Sequence, residues 1–125
     1  MKYKVLEKGN PGNPDAPKKQ YAGAVNAGKF TLKQLAKEIA GRSSLTRGDV
    51  ENVLNNFIDE LPIFLKLGLS VKLGDFGTLR LNIVSEGVDT GKKFTTDNIK
   101  GVKVIFTPGV ELKESLKDIV FEEEK

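Results

Sequence analysis

Residues 71–81 read VKLGDFGTLRL, and in this stretch apolar and polar residues alternate on both sides of a glycine-rich turn. Alternation with a period of two predicts β-strands that have one apolar and one polar face. Gly74 and Gly77 supply the backbone freedom that a tight turn between two strands needs, and Phe76 can place its ring under that turn. The stretch therefore predicts two antiparallel strands joined at residues 74–77.

The triplet Asp75-Phe76-Gly77 also matches the metal-binding motif of protein kinases. The chain has 125 residues, too few for a kinase fold, and it contains no His-Arg-Asp catalytic loop because it contains no histidine. Residues 87–93, GVDTGKK, are one residue short of a phosphate-binding P-loop and lack its Ser or Thr. We therefore predict a structural role for the triplet.

Two helices are predicted before the turn. Thr31 with Gln34, and Thr46 with Asp49, have the spacing of helix N-caps that share hydrogen bonds with the third helical residue. Gly41 and Gly68 are the predicted ends, and Pro62 is expected to kink the second helix. The apolar residues of the second helix form a long stripe: Val50, Val53, Leu54, Phe57, Ile58, Leu61 and Leu65.

A third strand is predicted at residues 102–106, followed by a C-terminal helix over residues 110–121, VELKESLKDIVF. The fold class is thus α+β, with a helix pair, a three-stranded antiparallel sheet and a closing helix. Residues 85–100 join the second and third strands and contain little core material. A segment of this length is either a protruding hairpin or a surface loop, and the sequence leaves both open.

Residues 1–29 differ from the rest. YKVL and YAGAV are candidate short strands on either side of a loop rich in proline, glycine and asparagine. We predict an N-terminal extension at residues 1–29, with a possible hairpin, and a main domain at residues 30–125.

Composition excludes several classes of site. The chain has no cysteine and no histidine, which removes thiol nucleophiles, disulfides, histidine bases and the usual zinc sites. No paired carboxylates converge with other polar groups, so we predict no enzyme activity, no cofactor and no small-molecule substrate. No apolar run is long enough for a membrane span, and a chain without disulfides fits a cytoplasmic location.

Positive charge is concentrated in two zones, through residue 30 and over residues 69–107, although the net charge is only +3. Such zones are either ordinary surface lysine or the footprint of a polyanion. Likewise, the polar face of the predicted sheet is either simply solvated or turned toward phosphates. Its members are Lys72, Arg80, Asn82 and Lys103.

The order of motifs resembles the bacterial histone-like HU and integration host factor family. The matching segments are GLSVKLGDFGTL at residues 68–79, FTPGVELK at residues 106–113, and the helix pair with LKQLAKEIA and LTRGDVENVL. The resemblance covers roughly residues 30–120. With its N-terminal extension, the chain resembles the branch of HU-related proteins that carries one.

The resemblance implies an intertwined homodimer that binds duplex DNA without sequence specificity in the nucleoid, through a sheet saddle and two β-arms reaching into the minor groove. The alternative is an HU-fold structural or protein-interaction module with weak or lost DNA binding. In the family, arginines and a proline at the arm tip kink the duplex, whereas this arm has neither. The resemblance therefore implies DNA binding and condensation, and it leaves open whether the duplex is sharply bent. The DNA-binding candidates are Lys72, Arg80, Asn82, Lys92, Lys93, Phe94, Lys100 and Lys103.

Overall fold

A computed structural model describes all 125 residues, and the chain forms two compact units. One unit comprises Thr31–Leu116, and the other comprises Met1–Phe30 together with Lys117–Lys125. The fold class is α+β, with two three-stranded sheets and three α-helices. None of these helices combines the length and the apolar character that a membrane span requires.

The unit Thr31–Leu116 begins with the two predicted helices, α1 (Leu32–Gly41) and α2 (Arg47–Lys66). Both N-caps are confirmed. Thr31 Oγ1 accepts from the Gln34 N–H at 3.2 Å, and Thr46 Oγ1 accepts from the Asp49 N–H at 3.1 Å. Helix α2 continues through Pro62, and Gly68 follows it with a φ of +83°, the left-handed conformation that ends many helices.

The sheet of this unit has the strand order β3 (Val71–Lys72), β4 (Gly77–Ser85) and β5 (Ile99–Pro108), and all pairs are antiparallel. Its register confirms the predicted faces. Leu79 pairs with Phe106, Leu81 with Val104, and Ile83 with Val102, so these six side chains share one face.

The Asp75–Gly77 triplet holds the start of β4 against the end of β5. Gly109 donates its N–H to the Phe76 carbonyl at 2.9 Å, and the rings of Phe76 and Phe106 lie 5.1 Å apart. A Cβ on Gly109 would collide with the Asp75 carbonyl oxygen. The segments at residues 75–77 and 106–109 are therefore packed on each other. In this fold the Asp75–Gly77 triplet forms a turn that takes part in packing.

Of the two alternatives for residues 85–100, the structure shows a loop and not a two-stranded hairpin. The ladder ends where Ser85 pairs with Ile99, next to a bulge between Val84 and Ser85. Beyond it the chain forms a loop with a turn closed by the Lys92 N–H and the Asp89 carbonyl, and then a 3₁₀ turn at Thr96–Asn98. A loop with few apolar residues and several carboxylates has little to gain from strand pairing.

The predicted C-terminal helix is also too long. Helix α3 covers only Val110–Ser115, and the chain then leaves the helix and forms β6 (Glu122–Glu123). Backbone groups of this tail bond to β1, because the Glu122 N–H donates to the Met1 carbonyl at 3.0 Å and the Glu124 N–H donates to the Tyr3 carbonyl at 2.9 Å. Pairing with β1 takes the place of further helical turns.

The second unit is therefore built from both ends of the sequence. Strand β1 (Lys2–Lys8) pairs with β2 (Lys19–Ala24) as an antiparallel hairpin, as the sequence predicted, and with β6 in parallel. The tail from Lys117, which we predicted within the main domain, belongs to this unit. We call the sheet β2–β1–β6 of this unit the terminal sheet.

Few side chains are buried within one chain. Only Ala36, Val50 and Leu65 are buried among the apolar residues. By contrast, Phe57 on α2 is 42% exposed and Val104 on the apolar face of the sheet is 66% exposed. A single copy thus leaves open much of the apolar surface that its helices and sheet present.

Candidate nucleic-acid interface

The polar face of the sheet β3–β4–β5 is the best-formed candidate site. Its side chains form cross-strand rows, because residues paired across antiparallel strands lie on the same face. Thr78 is the partner of both Lys72 and Thr107, Arg80 is opposite Ile105, and Asn82 is opposite Lys103. We call this surface the polar sheet face.

The charge on this face is positive only. Strands β3, β4 and β5 contain no aspartate or glutamate at any position. Lys72, Arg80 and Lys103 are exposed, and none of them forms an ion pair. The positive charge of this face is therefore not compensated by any carboxylate of its own strands.

The face also carries hydroxyl groups that sequence reasoning missed. Thr78 and Thr107 are Cα partners in the row that contains Lys72. Threonine hydroxyls can donate hydrogen bonds to phosphate oxygens, as can the amide of Asn82. Their even spacing from Arg80 and Lys103 was the signal in the sequence that could have identified them.

The candidates in the loop lie apart from this face and in a different electrostatic setting. Lys92 Nζ is 3.6 Å from Asp89 Oδ2, and Lys100 Nζ is 2.9 Å from Glu86 Oε1. Both pairs are exposed, so each contributes little stability and its lysine can exchange the carboxylate for another anion. Lys93 has no such partner, and Phe94 is about half exposed.

The structure thus divides the eight predicted residues into two groups. Register brings together Lys72, Arg80, Asn82 and Lys103, whereas Lys92, Lys93 and Phe94 belong to the loop. Lys100 is the second residue of β5 and has no partner in the register with β4. No contact joins the two groups within one chain among the ion pairs and side-chain hydrogen bonds. Binding by these residues stays a prediction.

Comparison with known proteins gives a family match and two structural likenesses. The family model HU-HIG, described as an HU domain fused to wHTH, Ig, or Glycine-rich motif, matches residues 1–123. No curated protein matches the chain. A crystal structure from Bacteroides vulgatus ATCC 8482, of a protein provisionally described as a bacterial DNA binding protein, aligns with a TM-score of 0.62 at 15% identity.

That alignment covers 98% of this chain and 47% of the other, so the chain spans about half the length of that protein. The HU protein of Anabaena, solved as a cocrystal with DNA, aligns with a TM-score of 0.54 at 18% identity. There the alignment covers 72% of this chain and all of the Anabaena chain. At these identities the two structures establish a shared fold.

Proposed function

The chain belongs to the HU-HIG family of HU domains fused to other modules, and from this premise we propose that it binds duplex DNA as a non-sequence-specific architectural protein. The carrying observation is the polar sheet face, which presents three exposed cations and no carboxylate. Lysine and arginine there are suited to phosphate oxygens, which supply most of the affinity of non-specific DNA binding. The Anabaena HU protein was crystallised with DNA, in agreement with this proposal.

Lack of sequence preference follows from the types of residue. Base readout in the major groove needs several bidentate arginine, asparagine or glutamine contacts, and the polar sheet face offers only Arg80 and Asn82. Lysines act as point charges on the backbone. The loop has no proline to insert between base pairs, so we propose binding and condensation in the nucleoid without a sharp kink.

We further propose that the DNA-binding form is an intertwined homodimer. One chain leaves Val53, Phe57 and Ile58 on α2 substantially exposed, together with Ile83, Val102 and Val104 on the sheet. Exposed apolar surface of this extent marks an interface in a stable protein. A second copy could cover both surfaces at once, and it would also supply a second polar sheet face.

The test is a salt titration of duplex affinity for the parent chain and for the double variant Arg80→Ala with Lys103→Ala. Each lost phosphate contact should reduce the slope of log K against log salt by about 0.9, so the variant should lose up to about 1.8 for each chain that contacts the duplex. Lys33→Ala with Lys37→Ala is the matched control, because it removes two exposed lysines from α1.

An equal slope in the double variant and the control would exclude the polar sheet face as the binding surface. Failure of the parent chain to bind duplex DNA at low salt would instead favour an HU-fold module that binds another protein. A strong preference for one duplex sequence, retained at high salt, would contradict the non-specific mode.

A further inference from the structure

The terminal sheet has a lysine-rich face that the proposed function does not use. Alternation along β1 and β2, together with their register, places four lysines on one side: Lys2, Lys4, Lys8 and Lys19. The only carboxylate of these two strands, Glu7, is opposite Gln20 and lies on the other side. We call this side the lysine face.

Two of these lysines are in an unfavourable position. Lys8 and Lys19 are direct cross-strand partners. Like charges that face each other across a strand pair destabilise the sheet, so this pair opposes formation of the hairpin unless an anion lies between the two ammonium groups. The Lys8 ammonium is 5.9 Å from the centre of the Tyr21 ring, which partly compensates one charge and leaves the other uncompensated.

The same two lysines line a concave surface. A cavity of about 430 Å³ is bounded by Lys8, Lys19 and Tyr21 on the strands and by residues of the connecting loop, including Pro11 and Pro17. Backbone bonds support this loop, because the Asn13 N–H donates to the Asn10 carbonyl at 3.1 Å and the Ala16 N–H donates to the Asn13 carbonyl at 3.0 Å. The concavity is therefore bounded by a hydrogen-bonded loop on one side and by two cations and an aromatic ring on the other.

One edge of the face is less positive. Glu122 of β6 is the Cα partner of Lys2, which places a carboxylate beside that lysine. The charge is accordingly concentrated at Lys4, Lys8 and Lys19, around Leu6 and Tyr21. Such a group of lysines around a tyrosine suits a phosphate backbone, because lysine and tyrosine side chains both donate hydrogen bonds to phosphate oxygens.

We propose that the lysine face is a second DNA-contacting surface, which binds the phosphate backbone through Lys4, Lys8 and Lys19. The proposal rests on the proposed function only in sharing its polymer, since its residues, its strands and its unit are separate from the polar sheet face. It gives the basic zone through residue 30 a role in DNA binding. Each of the two units then has its own DNA-contacting surface.

The experiment compares the full chain with the triple variant Lys4→Ala, Lys8→Ala, Lys19→Ala in a salt-titrated duplex binding assay. Three lost phosphate contacts should flatten the slope of log K against log salt by up to about 2.7 for each chain that contacts the duplex. The control is Lys33→Ala, Lys37→Ala, Lys66→Ala, which removes three exposed helical lysines and should leave the slope unchanged. Replacing the same three face lysines by arginine should restore the parent slope.

Folding is checked by the thermal midpoint, which should stay the same or rise in the triple variant because the Lys8–Lys19 repulsion is gone. A triple variant with the slope of the lysine control would overturn this inference and leave the polar sheet face as the DNA site. A parent chain that fails to bind duplex DNA would overturn both proposals. Loss of binding to phosphatidylserine vesicles with an unchanged DNA slope would assign the face to membranes and also overturn the inference.

Discussion

Gly77 and Gly109 are positions where neighbouring atoms leave no space for a side chain. Gly77 has a φ of +153°, and a Cβ there would collide with the Phe106 ring and lie 2.6 Å from the Thr107 carbonyl oxygen. A Cβ on Gly109 would collide with the Asp75 carbonyl. Both contacts belong to the junction that joins β4 to the end of β5, so these glycines are required by close packing.

Replacing either glycine by alanine should destabilise the fold by about 1–3 kcal/mol, the usual cost of overpacking a tight contact. The measurement is the midpoint of chemical unfolding for Gly77→Ala and for Gly109→Ala. Gly87→Ala is the matched control, because a Cβ at Gly87 meets nothing within 4 Å, and its midpoint should hardly move. An equal midpoint for Gly109→Ala and Gly87→Ala would show that the junction tolerates a methyl group.

At the scale of elements, variants of the loop between β4 and β5 can show how DNA binding is divided between this loop and the polar sheet face. Lys92 and Lys93 directly follow Gly91 at the end of its turn, and Lys92 forms an exposed ion pair with Asp89. The double variant Lys92→Ala with Lys93→Ala should weaken duplex binding and flatten the salt slope by up to about 1.8 for each chain that contacts the duplex. Its thermal midpoint should be nearly that of the parent chain, because exposed substitutions far from the packing shift stability by about 0.5 kcal/mol or less.

The informative comparison for this loop is Arg80→Ala. An unchanged affinity and slope in the loop variant, together with a large loss in Arg80→Ala, would mean that the polar sheet face binds alone. The reverse result would assign the main contacts to the loop. Additive losses in the combined variant would indicate that both surfaces touch the duplex independently.

Local patterns predicted the elements that depend on neighbouring residues. The caps at Thr31 and Thr46, the hairpin β1–β2 and the two faces of β4 follow from spacing along the chain, and each is confirmed. The prediction of a helix up to residue 121 was wrong, because Leu116, Ile119 and Val120 also fit helical spacing. What decides against that helix is hydrogen bonding to Met1 and Tyr3, which are far away in sequence and leave no local signal.

The candidate site was predictable to a similar extent. The alternation around Arg80 was visible in the sequence, whereas the cross-strand rows that add Thr78 and Thr107 depend on register. The lysine face required register for the same reason, since only pairing shows that Lys8 and Lys19 are opposite each other. Loop conformation could not be predicted, because residues 86–95 lack the periodicity that selects one structure.

For the whole molecule, the exposed apolar stripe of α2 predicts that folding and association are coupled. The parent chain should sediment at twice the 13.7 kDa mass of one chain at micromolar concentration. Phe57→Asp should dissociate or unfold the protein, because the interface would have to bury an unpaired carboxylate. Asn55→Asp adds the same charge to α2 outside the apolar stripe, and it should leave the sedimentation coefficient unchanged. A parent chain that sediments as a well-folded monomer would refute the homodimer.

The parallel pairing of β1 with β6 also sets an order of events during translation. Lys2 leaves the ribosome about 120 residues before its partner Glu122, while the unit Thr31–Leu116 is continuous and emerges completely in between. The nascent chain therefore holds one edge of β1 open while the helices and the larger sheet fold. Open strand edges recruit other chains, and charged residues, lysine above all, discourage such pairing. Lys2, Lys4 and Lys8 place charge of this kind on β1 during the interval before β6 is made.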